Sequence, residues 1–135
     1  MRALFVIYWF LLVFGTIWPG HLFASEAHSI EENAIQIANK EIEAHGVKLS
    51  YWKPPETGEK IKEEWQRIRL LRREHSAPNQ QEYLDNQERA LAGKDFLAVR
   101  YLHKKSHQEN VKHGEMWVFI DRDSRNVLLV IPPGH

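Results

Sequence analysis

Three apolar runs crowd the C-terminal part of this chain, and they constrain its fold more than any other feature. They are DFLAVRYLHK from Asp95, EMWVFID from Glu115 and NVLLVI from Asn126. Side chains along a strand point alternately to opposite faces. The first run places Leu97, Val99 and Tyr101 on one face and Phe96, Ala98 and Leu102 on the other. The second sets Met116, Val118 and Ile120 against Trp117 and Phe119. A sheet with one wet face would alternate apolar with polar residues. These strands are apolar on both faces, so both faces need cover.

The polar patch DRDSRN joins the last two runs. Asp and Asn tolerate unusual backbone angles and bond their own backbone, so the patch reads as a hairpin turn. Pro132 and Pro133 end the ladder, since neither can donate a backbone hydrogen bond. No Lys or Pro lies within VLLVI to blunt an edge. Val127, Leu129 and Ile131 are therefore expected to be buried, with Leu128 and Val130 at least partly so.

The cover comes from upstream. SIEENAIQIANKEIEAHG carries an apolar stripe of Ile30, Ala34, Ile37, Ala38 and Ile42, which predicts a helix over residues 30–45. Ser29 and Glu32 have capping-box spacing, Glu31 and Glu32 suit the positive end of the helix dipole, and Gly46 follows as a left-handed cap. VKLSYWK reads as a strand with Val47, Leu49 and Tyr51 on one face, ended by Pro54-Pro55. ETGEKIKEEWQRIRLLRREH reads as a second helix with Ile61, Trp65, Ile68 and Leu71 on one stripe, its LRREH stretch a solvated end. NQQEYLDNQERALAG reads as a third, lined by Leu84, Gln87 and Leu91 and stopped by Gly93. The fold class predicted is α+β. An N-terminal helix covers one face of a mainly antiparallel sheet of about four strands. Two further helices, or a partner, cover the other.

The N-terminus has a separate logic. Arg2 precedes an almost wholly apolar run from Ala3 to Trp18, then Pro19-Gly20, then small residues in Ser25-Glu26-Ala27. This order is that of a secretory signal peptide. As a helix the run would reach only about 24 Å, short of a bilayer core of about 30 Å. Residues 1–27 are expected to be the signal and residues 28–135 a single small domain, secreted or periplasmic. An uncleaved anchor is the rival reading.

Composition removes several chemistries. Basic and acidic residues number 18 each, and a cut after Ala27 keeps the balance. No general electrostatic drive toward nucleic acid or an anionic membrane follows. Cysteine is absent, which excludes disulfides, thiolate metal sites and thiol nucleophiles. There is no G-x-S-x-G, G-x-x-x-x-G-K, G-x-G-x-x-G or H-E-x-x-H. No catalytic residue and no cofactor are assigned. The candidate metal ligands are His103, His107 and His113, which bracket HKKSHQENVKH, and His28, which a cut would make the N-terminus. Neutral imidazoles can hold a divalent metal, though a solvated basic loop explains the first three more simply. His45 sits at a helix C-terminus, a capping position. Asp121 and Asp123 could serve acid–base work, but turn formation accounts for them.

ENAIQIANKEIEAHG together with the hairpin WVFIDRDSRNVLLVIPPG resembles the two ends of PepSY-like domains. The pair is similar also to small cystatin-like and nuclear-transport-factor-like immunity modules. KDFLAVRY resembles the strand that precedes their terminal hairpin. Asn126 follows Arg125 where the family pattern has a Gly-rich turn, and a long helical insertion separates the first helix from the later strands. The resemblance implies a non-catalytic extracytoplasmic binding or inhibitory module with a protein partner, and it carries no active-site residues. The alternatives are a small His-dependent metal-binding protein or enzyme, and an envelope structural protein held by a retained N-terminal helix. The signal order predicts a mature N-terminus near His28. N-terminal sequencing of the exported protein checks this, and an intact Met1 would favour the anchor.

Overall fold

The computed structural model describes residues 19–105 and 114–133, with side chains from His28 onward. The chain divides into two units, Met1–Ile30 and Glu31–His135, and the sheet belongs to the second. The described elements are α1 (Pro19–Ala44), β1 (Glu56–Thr57), α2 (Glu59–His75), α3 (Gln81–Leu91), β2 (Phe96–Leu102), β3 (Glu115–Asp121) and β4 (Val127–Ile131). The four strands pair antiparallel in the order β1-β2-β3-β4. This is the α+β arrangement expected, with both faces of the sheet covered.

Alternation along β2 and β3 divides the core in two. Phe96, Ala98, Trp117, Phe119 and Ile131 cluster with Ile61 and Trp65 of α2 and Leu91 of α3. Trp65 lies 5.3 Å from the Trp117 ring and 4.8 Å from Phe119. Aromatic contacts at such spacings add to area burial. The opposite face carries Leu97, Val99, Tyr101, Met116, Val118 and Ile120, all buried. There the Tyr101 hydroxyl donates to Asn39 Oδ1 at 2.6 Å, which places α1 across this face. Ala34, Ala38 and Ile42 are fully buried on the same helix. The small alanines allow helix and sheet to approach closely.

The helix ends follow chain chemistry. Gly46 takes φ 82°, while its N–H bonds Glu43 O and the Val47 N–H bonds Ile42 O. That pair of bonds is a Schellman closure, with Gly46 the left-handed cap expected. Gly93 likewise takes φ 69° after α3. Leu84, Gln87 and Leu91 are the buried residues of α3, as its periodicity predicts.

Four expectations need correction. Helix α1 begins at Pro19, so Ser29 lies inside it and is no N-cap. Residues before Ser29 contain nothing that breaks a helix after Gly20, so the helix simply continues. Glu31 instead reaches the start of α2, where a side chain added at Gly58 would come within 3.2 Å of its Oε1. Second, VKLSYWK is not a strand. Leu49–Tyr51 form a 3-10 turn, and only Trp52 of that run bridges the sheet, at His103. Pro54-Pro55 interrupts the ladder, so the fourth strand is the two-residue β1 that follows it. Third, Leu71 is 46% exposed and falls off the buried stripe of α2.

The fourth correction concerns β4. Ile131 is buried, but Val127 and Leu129 are only half-buried, like Leu128 and Val130. The cause is position, since β4 is an edge strand with a neighbour on one side alone. Its register is also irregular. Phe119 pairs Leu129 whereas Ile120 pairs Val127, which leaves Leu128 as an extra residue. Such a bulge turns two successive side chains to one side, and Leu128 and Leu129 both pack on the Trp65 cluster. The apolar run thus fails to alternate for a structural reason. Ile131→Ala is expected to cost about 2–5 kcal/mol, the range for a buried aliphatic truncation, and Leu129→Ala distinctly less. Urea denaturation followed by tryptophan fluorescence checks the order.

Candidate functional site

The residues that sequence marked for chemistry do not converge. His103 is half-buried at the end of β2, edge-on to Trp52 at 5.2 Å, and its Nδ1 accepts from the Lys105 N–H at 3.1 Å. Its own N–H donates to Gly114 O, closing the base of the β2–β3 connection. His107 and His113 lie outside the described residues. His28 is exposed on α1. Among the described residues no group of three or more His, Asp or Glu is placed to hold a metal. The His45 ring lies 2.8 Å, through Nδ1, from Glu41 O, which is the capping position expected.

Asp121 and Asp123 are turn-formers. Asp121 Oδ1 accepts the N–H groups of Asp123 at 2.9 Å and Ser124 at 3.0 Å. These bonds, Ser124 first, hold its carboxyl below the ordinary carboxylate range, aided by the Lys94 charge. Arg125 takes φ 64°, the left-handed conformation that glycine fills without strain.

Two charged groups that the sequence reading passed over prove to be organised. Arg73 of α2 bonds Asp85 at 2.8 Å and Glu88 at 2.8 Å, both on α3. These carboxylates raise its pKa. The LRREH stretch is therefore partly a helix–helix clamp rather than only a solvated end. Arg100, the one charge inside β2, pairs Glu64 at 2.7 Å and Glu56 at 3.1 Å and lies over Trp117. Burial works against its charge, but the bonds to Glu64 and Glu56 outweigh this and raise its pKa. A lone arginine in an apolar strand was the available signal. Tyr101 is pushed well above its ordinary value by burial and then by Glu43, so its hydroxyl stays a donor. Each of these groups holds elements together.

What the fold leaves open is the β4 edge. Among the described residues the opposite edge offers the two residues of β1 and the single bridge at Trp52, on either side of Pro54 and Pro55. β4 offers five residues, and no charge occurs from Asn126 to Pro133. α2 packs on β1 and β2, while α3 packs on β4. Tyr83 is 41% exposed, and Gln87 is only 5% exposed with its Nε2 lacking an acceptor among the described residues. A buried amide without a partner is costly.

No family model, curated protein or solved structure matches the chain. Among the described residues no helix is long and apolar enough to cross a membrane.

The Asp121 carboxylate carries a pH consequence. Its pKa is lower in the folded chain, so the stability it contributes is present above the unfolded value near 4 and is lost as pH falls through the folded value. Asp121→Asn keeps an acceptor but removes the titration. Thermal melts are expected to show a shallower loss of stability between about pH 4 and pH 2 in the variant than in the parent.

Proposed function

We propose that this chain is a non-catalytic binding module, secreted or periplasmic, that takes a protein partner along the edge of β4. One observation carries the reading. β4 is an edge strand of five apolar residues, half-buried for four of them, whose outer backbone row has no strand beside it among the described residues. Proteins ordinarily blunt such edges with charge, proline or brevity, as this chain does at β1. An exposed edge is also a standard surface for strand addition, in which backbone bonds supply affinity and alternate side chains supply specificity. Support for an extracytoplasmic setting comes from the order of Arg2, apolar run and Ser25-Glu26-Ala27. The PepSY-like resemblance points the same way, toward binding or inhibition rather than catalysis.

The test places a photo-crosslinking residue at Val130 and, separately, at the exposed Gln66 of α2, in cells that make the protein. Adducts to protein are expected from Val130 and not from Gln66. Equal yield at both positions, or none at Val130, overturns the proposal.

A further inference from the structure

We propose that the occupant of the β4 edge is β4 of a second copy, paired antiparallel about a two-fold axis that passes between Leu128 and Leu129. The inference deepens the binding reading and rests on it.

The backbone register decides which groups face outward. The His103 N–H bonds Gly114 O, and the Asp121 N–H bonds Asn126 O. Bonding and non-bonding pairs alternate along antiparallel strands. Even-numbered residues of β3 therefore bond toward β2, and odd-numbered ones toward β4. Val127 pairs Ile120 and Val130 pairs Val118, so both are non-bonding pairs. The amide and carbonyl of Val127 and Val130 thus point away from the sheet. A regular strand presents outward groups two residues apart. Here the bulge at Leu128 separates them by three. Strand β3 spans the same bulge from the inner side, its Phe119 and Asp121, two apart, meeting Leu129 and Asn126, three apart.

A second copy carries the same three-residue spacing. Run antiparallel, it sets its Val130 against Val127 and its Val127 against Val130, and each pair can exchange two backbone hydrogen bonds. The side chains fit the same symmetry. Val-Leu-Leu-Val reads identically in both directions. Val127 and Val130 lie on the α1 face with Ile120 and Val118, while Leu128 and Leu129 lie on the Trp65 face. The pairing therefore sets valine against valine on one face and leucine against leucine on the other. With no charge from Asn126 to Pro133, no like charges meet across the seam. Closed two-fold contacts require a self-complementary patch of this kind.

The test uses the protein as recovered from cells that make it, in sedimentation equilibrium from about 1 to 200 μM, the range in which a modest interface populates both states. A mass twice that of the chain is expected. Val130→Pro deletes an outward N–H and no bond to β3, so it is expected to weaken association about tenfold or more with near-UV circular dichroism unchanged. If that variant loses its near-UV signal, Val127→Lys serves instead, because a charge on the edge opposes pairing. The chain has no cysteine, so a spin label at Asn126→Cys reports a single site. Five residues along the seam separate the two labels, roughly 15–25 Å. A monomer throughout the range, a dimer indifferent to the edge variant that folds, or a label distance outside that window overturns the proposal. If Val130 nevertheless gives adducts to a different protein, the dimer falls and the binding reading stands.

Discussion

The contact between Trp65 of α2 and the Trp117–Phe119 pair of β3 is the one on which the remaining architecture depends. Residues Met116 to Ile120 are all buried, so β3 has no wet side. Burial of apolar area is worth about 25 cal/mol per Å², and aromatic rings supply more of it than any other side chain. Once Trp65 fixes α2 on one face, α3 follows through the Arg73 clamp to Asp85 and Glu88. The opposite face is then left for α1. Its alanines and the Tyr101–Asn39 bond set how near that helix comes.

Charge organises the periphery without driving the fold. Arg100 and Arg73 each join two elements through carboxylates, and both are tied to helix α2, the first through Glu64. Removing the carboxylates of Arg100, a side chain only 13% exposed, would leave a desolvated charge, which costs more than the intact pair contributes, whereas the more exposed Arg73 pair is screened by solvent. These arginines therefore act as specifiers of helix placement more than as sources of stability. That fits a chain with balanced charge and no disulfide to fall back on.

Periodicity made most of the fold legible. β2, β3 and β4 show as apolar runs, and the glycines at 46 and 93 end helices as their lack of a Cβ allows. The Leu84–Gln87–Leu91 stripe needed only helical spacing. Other features depend on competition that a local pattern does not display. Ser29 has good capping chemistry, but a cap forms only where the helix has reason to stop. VKLSYWK alternates well, yet the two prolines after it prevent a ladder from forming. Leu128 looked like an ordinary strand residue because a bulge is a relation between two strands. The candidate site was less legible still. Histidines drew attention by their number, whereas the open edge has no unusual residue in it. Its character comes from lying last in the sheet.

The brevity of β1 has a consequence for assembly. Sheets that can grow at both edges polymerise, and a chain whose two edges match each other risks fibres. Here the far edge, among the described residues, is the two-residue β1 and the lone Trp52 bridge with Pro54-Pro55 between them, which makes it a poor template for a further strand. Two copies joined at β4 would therefore form a finite pair, since neither far edge readily takes the next strand.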